Sequence, residues 1–207
     1  MVSDIDLPRD LPLPLASGAH WWYWLGGRPS LDLVNTKRER WRRGVETLAG
    51  PEDLGSWLRR AEVLSGPQPI GASVLAEALA LREAIDAGVV AAVAGAAVEP
   101  AAIALIDGWL VHAGSRPQLA LDAAGLMRLG ERPPADSPRR ALGTIALDAA
   151  RMLGTPGEVA RIRICASDTC SARFYDRSPA GARRWCSMRT CGNVAKVRRH
   201  RARTRAA

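Results

Sequence analysis

Through most of the chain ahead of residue 155, apolar residues recur at steps of three and four, the spacing of helices that bury one stripe. Trp21, Trp22, Tyr23 and Trp24 form the densest aromatic cluster and are expected to anchor the start of the core. After a Gly26 to Pro29 turn, Ser30 is placed as the cap of a helix carrying Leu31 and Val34, with Asp32, Asn35 and Thr36 as polar positions among them. Pro51, followed by Glu52 and Asp53, suits a helix start. Leu54, Trp57, Leu58 and Ala61 form its apolar face, and Gly66-Pro67 ends it. A long helix is predicted over 73–97 from Val74, Ala78, Leu81, Ile85, Val89 and Val93, leaving Arg82, Glu83 and Asp86 off the stripe. The next, over 100–113, turns Leu105, Ile106, Trp109 and Leu110 inward and leaves His112 at a surface end. The period then falls to two at 118–122 and 126–129, a β-hairpin, with a loop over 130–134. Ser137 and Pro138 open a further helix that buries Leu142, Ile145, Ala149 and Met152 and stops at Gly154 and Pro156. Residues 159–164 alternate as a strand that runs straight into Cys165, so the segment beyond should dock on the main domain's sheet. A last helix, over 194–205, would face Val194 and Val197 inward and be capped by Asn193.

This pattern predicts an α+β protein: a mainly helical N-terminal domain with a small antiparallel sheet, then a small module ending in a basic helix. The expected divisions are a flexible leader at 1–20, the larger domain at 21–157 and the module at 158–207. The longest apolar run, Ala87 to Val98, is too short to span a bilayer and reads as a buried helix, so no membrane association is expected. The charged, proline-rich start does not resemble a secretory signal, which points to the cytoplasm.

Composition adds its strongest signal in the module. The four cysteines of the chain are Cys165 and Cys170, then Cys186 and Cys191, each pair enclosing four residues. Two short loops can bring four sulfurs around one tetrahedral Zn²⁺ ion. Free buried thiols, two disulfides and an iron–sulfur cluster are the other readings of the same residues. A reducing compartment favours metal over disulfide, and one closed, structural Cys₄ zinc site is preferred. With every coordination position filled by sulfur, no activated water would remain. Arg173, Arg183, Arg184 and Arg189 lie near enough in sequence to offset the site's negative charge, and Gly192 would permit a tight turn of N–H groups toward sulfur.

The residues Trp185, Cys186, Ser187 and Met188, then Cys191, Gly192 and Asn193, then Lys196 and an arginine-rich tail, resemble the CGNR zinc finger of bacterial transcription regulators. Upstream, Gly27-Arg28-Pro29-Ser30-Leu31-Asp32-Leu33-Val34-Asn35-Thr36 is similar to the start of the ABATE domain, which precedes that finger in the same stress-induced regulator family. One position departs from the motif: where it ends in Arg, this chain has Val194.

Charge separates the two parts. The net charge is +8, yet residues 157–207 alone hold thirteen Arg or Lys against three acids, leaving the rest slightly acidic. Such a distribution suits a polyanion-binding module on a separate body. The candidate nucleic-acid-binding residues are Lys196, Arg198, Arg199, Arg201 and Arg203; Arg198 and Arg199 are placed toward base edges, with the terminal cations, Arg205 among them, on the backbone. Together with the resemblance, this predicts a DNA-binding transcription regulator on double-stranded DNA, a homodimer where recognition is sequence-specific. The alternative is an RNA- or ribosome-associated zinc protein. Asp32, Asn35 and Thr36 are the candidate ligand pocket for a small-molecule effector in the ABATE-like domain. The cation run from Lys37 to Arg43, with Trp41, reads either as a nucleic-acid contact or as a solvated segment. The body shows no His/Cys/Asp constellation and no phosphate-binding glycine loop, so an enzyme is not expected.

Overall fold

The computed structural model of the protein describes residues 7–132 and 135–206. The first six residues of the expected leader, the Pro133-Pro134 end of the expected 130–134 loop, and the side chains of Arg199 and Arg205 lie outside the described residues.

The first helix, α1 (Pro29–Val34), is short but central: Leu31, Leu33 and Val34 are all buried. It is entered through extended Arg28 with Pro29 at its first position, so Ser30 is not its cap. Pro needs no N–H there, and the Ser30 hydroxyl and N–H are both used on the Asp148 carboxylate. Lys37 and Arg38 (β1) pair antiparallel with Val45 and Glu46 (β2). Much of the cation run that read either as a nucleic-acid contact or as a solvated segment is therefore structural. Arg38 is buried over the Tyr23 ring at 4.5 Å, and Arg40 meets Glu83 at 2.6 Å and Asp86 at 3.1 Å.

Helix α2 (Pro51–Arg60) starts as predicted, with the Asp53 carboxylate accepting from Gly50 N–H at 3.0 Å. It ends well before Gly66, at Ala61. Helix α3 (Ala72–Ala94) buries Ala78, Leu81, Ile85 and Val89, and Gly95, with φ +65°, closes it in the left-handed conformation that suits glycine. Its last turns border an open cleft of about 440 Å³, and Val93, expected inside, is 45% exposed. Arg82, off the apolar stripe, is nevertheless buried and gives both guanidinium ends to Glu46 at 2.7 Å. Helix α4 (Pro100–Leu110) contributes Ile106 and Trp109 to the core, and the His112 ring lies 5.3 Å from that of Trp109. Helix α5 (Pro138–Gly154) is capped by Ser137, whose Oγ accepts from Arg140 N–H, and buries Leu142, Ile145, Ala149 and Met152. A single turn, α6 (Pro156–Val159), follows. Leu31 and Leu33, Trp57 and Leu58, the α3 stripe and the α5 stripe form one continuous core. Among the described residues no helix is long and apolar enough to cross a membrane.

Strands β3 (Arg116–Leu121) and β4 (Met127–Arg132) make the predicted hairpin, in the register Leu119 to Leu129 and Leu121 to Met127. The strand pairing continues through Gly130, where a loop was expected. All four of those apolar residues are exposed, and the hairpin joins no larger sheet among the described residues. The rest of the expected leader also differs from expectation. Leu7 and Leu15 are buried with Val45, and Gly18 N–H donates to Asp53 at 2.7 Å, so residues 7–20 are laid along the body.

Candidate metal centre

Strand β5 (Ile162–Ile164) carries the chain from the body core, where Ile162 is buried, to Cys165. Its partner is β6 (Arg173–Tyr175), in the register Ile162 to Tyr175 and Ile164 to Arg173, and Cys165 N–H extends the ladder to Ala172 O at 2.9 Å. The module therefore supplies its own sheet and docks on helices, not on the main domain's hairpin as the running strand suggested. Between the strands, Cys170 N–H turns back to Ser167 O at 3.2 Å, bringing the first two sulfurs together. The second pair is carried back by Ala166 N–H to Arg184 O at 2.8 Å and by Asp176, wholly buried, which accepts from Ser178 N–H at 2.9 Å and Arg183 N–H at 2.8 Å. Burial pushes the Asp176 carboxyl up, but these N–H groups outweigh it and hold it below its ordinary value.

Cys191 lies on a π-helical turn (Met188–Gly192) that leads directly into α7 (Asn193–Ala206). The wider π turn gives Gly192 N–H a bond to Ser187 O, five residues back, at 3.0 Å. A Cβ at Gly192 would meet the Met188 sulfur at 3.0 Å, so the glycine serves close approach and not the tight turn expected from sequence. Asn193, expected to cap α7, instead donates from Nδ2 to Arg189 O at 3.0 Å. The helical path has already begun at Met188, and there are no orphan N–H groups at 193 for a side chain to satisfy.

All four sulfurs are buried and lie within 4.8 Å of one another. The Cys170–Cys186 separation is 3.8 Å and the Cys186–Cys191 separation 3.7 Å. Four ligands at a Zn–S bond of about 2.3 Å sit about 3.8 Å apart at tetrahedral corners. The cysteines are free, which removes the disulfide reading, and a cage this tight fits one ion, not several irons each with its own thiolate. Four thiolates buried this close together would repel one another and lose their hydration, so they need a cation among them. Two buried hydroxyls next in sequence to ligands, Ser171 Oγ and Thr190 Oγ1, have no hydrogen-bond partner among the described residues. Neither reaches a sulfur; the backbone does, with Ala172 N–H donating to Cys170 Sγ at 3.4 Å. The donor set fits one zinc ion, which would fasten the two loops as a structural site.

The arginines expected around the sulfurs have other partners. Arg173 forks onto Asp86 of α3 at 2.6 and 3.2 Å, Arg183 donates to Cys186 O at 2.6 Å, and Arg184 stacks over Trp185. Arg189 is exposed. Phe174 and Tyr23 complete the module's small core, while the neighbouring Trp22 enters the main core, so the aromatic cluster stitches the two together.

The three residues of the expected ligand pocket are not brought to one cavity. Asp32 lines a cleft of about 290 Å³ with Trp24, Arg28 and Arg60, and its carboxylate accepts from Gly26 N–H at 2.8 Å. Burial raises its pKa to about 7, against the lowering effect of the Gly26 and Leu25 backbone. Asn35 is buried and turned the other way: Nδ2 donates to Arg173 O at 2.9 Å, and Oδ1 accepts from Arg173 N–H at 2.8 Å. Its amide acts as an added rung on β6. Thr36 donates to Leu33 O at 2.7 Å and accepts from Arg82 at 3.2 Å. Polar residues embedded in an apolar run are the signal that marked them, but that signal does not separate pocket residues from clamps.

On α7, Lys196, Arg198, Arg201 and Arg203 are exposed, and Arg198 forms an ion pair with Asp168. Val194 is half-buried, while Val197, expected inward, is 47% exposed.

Comparison with known families agrees with this division of the chain. Residues 161–204 match the CGNR zinc finger, and residues 27–156 match the ABATE family, described as "Putative stress-induced transcription regulator". No curated protein matches the chain. Both matched families are of regulator and zinc-finger type and neither is an enzyme family. With more than half its length covered by that one match, the chain belongs to the ABATE family and carries a CGNR zinc finger behind the ABATE domain.

Proposed function

We propose that the protein regulates transcription by binding double-stranded DNA through α7, with the zinc-held module as the support that presents the helix. The observation that carries this reading is the row of exposed cations Lys196, Arg198, Arg201 and Arg203 on a helix that continues directly from the turn holding the ligand Cys191. Guanidinium and ammonium groups displayed at a fixed angle match the charge of a phosphate backbone. Arg198, expected at a base edge, is paired with Asp168 and serves as a backbone contact; base contacts fall to Arg199, and a homodimer supplies the two half-sites that specific recognition requires.

A small-molecule effector fits the ABATE domain. Because Asn35 and Thr36 face backbone and Arg82, its seat is the apolar cleft between α3, α4 and α5, lined by Ala92, Ile103, Ile106, Leu110 and Leu153, with Asp107 as the polar contact. About 440 Å³ is the size of a small-ligand site.

Fluorescence anisotropy with a labelled duplex, competed by unlabelled duplex or structured RNA, tests the DNA reading. Duplex should compete better. With roughly five phosphates contacted, log affinity should fall against log salt with a slope of about −4.5. A flat salt response, or preferential competition by RNA, refutes it.

A further inference from the structure

A second cationic surface lies beside α7, contributed by the ABATE body. Residues 7–9, the loop between β1 and β2, and the start of α7 enclose a cleft of about 490 Å³. Its walls hold four guanidinium groups, Arg9, Arg42, Arg43 and Arg198, against one carboxylate, Glu39. The four do different work. Arg43 is a brace: it forks onto Glu39 at 2.9 and 2.8 Å and donates to Pro8 O at 2.8 Å, which fixes the first described residues to the loop. That pairing also neutralises Glu39. Arg42 lies 3.9 Å from the same carboxylate with its side chain 46% exposed, too far for a hydrogen bond. Arg9 is exposed and makes no hydrogen bond or ion pair with the described residues.

Arg198 faces the cleft from α7, held by Asp168 at the rim. Both partners are more than half exposed, so this pair is worth little and exchanges readily for another anion. Leu7 is buried and Val194 half-buried in the same wall, and their apolar surface strengthens any charge interaction inside. Val194 is also the position where the CGNR motif carries Arg. At this point the positive groups come from the body as well as from the finger.

We propose that this cleft seats a backbone phosphate of duplex DNA, held by Arg9, Arg42 and Arg198, with Thr169 Oγ1 as a neutral donor. The ABATE body thus forms part of the DNA-binding surface. Arginine's planar fork suits phosphate oxygens, and the site is continuous with the helix already assigned to the backbone. Asp168 is the resident anion that a phosphate displaces. The proposal rests on the DNA reading above, and its test separates the two.

The probe is a fluorescein-labelled random-sequence duplex of twenty base pairs, since binding to phosphates does not depend on sequence. Arg9→Ala/Arg42→Ala removes only the body's cations; Arg201→Ala/Arg203→Ala removes cations of α7 outside the cleft; Asp168→Asn releases Arg198. The body variant should weaken binding by roughly threefold to fivefold per arginine and flatten the salt slope by about 1 for each phosphate no longer engaged. Asp168→Asn should tighten binding by a similar factor, an effect that misfolding does not imitate. If the body variant binds as wild type while the α7 variant is weakened, the cleft is not part of the interface and the DNA reading stands. Wild-type protein that does not bind the duplex, or an α7 variant and a body variant that both match wild type, overturns the DNA reading and this proposal with it. Should the body variant lose zinc or helicity, Asp168→Asn decides: unchanged or weaker binding overturns the proposal.

Discussion

Replacing Asn35 by alanine should loosen the joint between the ABATE domain and the finger. The Asn35 amide gives one hydrogen bond to Arg173 O and takes one from Arg173 N–H, at 2.9 and 2.8 Å, across 138 residues of sequence. Both residues are buried, so truncation leaves a donor and an acceptor of β6 without partners and without water. Each such group costs about 1–3 kcal/mol. The cavity left by the amide admits some relaxation, which puts the loss at about 3 kcal/mol in all. With a denaturant dependence of about 2–3 kcal/mol per molar urea for a chain of this size, the midpoint should fall by about 1–1.5 M. Asn35→Asp keeps an acceptor for the Arg173 N–H but sets carboxylate oxygen against Arg173 O, so it should be no more stable than the alanine variant. Urea unfolding followed by tryptophan fluorescence, with zinc content measured on the same samples, gives the answer. A midpoint shift below about 0.3 M for alanine would mean that the amide is not a rung of the sheet, and the clamp assignment would fall.

Three further outcomes follow from the same contacts. Cys186→Ser should lower zinc from one equivalent toward none, read by a chromogenic chelator after denaturation. Because β6 is tied to Asn35 and Asp86, it should also lower the body's unfolding midpoint, and an unchanged body transition would show the two parts to be independent. Asp32, raised to about 7 by burial, binds a proton more tightly folded than unfolded. Its contribution is therefore full below about pH 4 and is lost as pH rises through about 7, by at most roughly 4 kcal/mol. Asp32→Asn should match wild type near pH 4 and exceed it at pH 8; parallel stability curves from pH 4 to 8 would refute the shift. Glu46→Gln removes the charge facing buried Arg82, which among the described residues keeps Glu83 as its anionic partner, and should cost about 2 kcal/mol by urea titration. A cost under about 0.5 kcal/mol would show that Glu83 alone satisfies the arginine.

What could be read from sequence was what depends on near neighbours. Helices α2, α3, α4 and α5 declare themselves by apolar spacing, and α2 and α5 also by Pro51 and Ser137-Pro138 at their starts. The metal centre declares itself because two loops of four residues are nearly sufficient to place four sulfurs. The partners of lone charges were not legible. Arg173 and Asp86 are 87 residues apart, and Arg82 and Glu46 are 36 apart. A charged residue next to an apolar stripe has the same local pattern whether it meets solvent or a buried counter-ion. For that reason the Lys37 to Arg43 run read as a nucleic-acid contact or a solvated segment, although Arg38 is buried. The π turn also escaped notice, since Asn193 after glycine carries an ordinary helix-start pattern and nothing local distinguishes a bond five residues back from one four back.

That extra residue within the turn acts as a phase setter. Successive positions on an α-helix are rotated by roughly 100° about its axis. If the segment from Met188 to Gly192 were shortened by one residue to give a regular turn, every side chain of α7 beyond it would swing by that angle relative to the metal. The direction in which Lys196, Arg198, Arg201 and Arg203 point is thus written into the spacing between Cys186 and Asn193, independently of how many cations the tail contains.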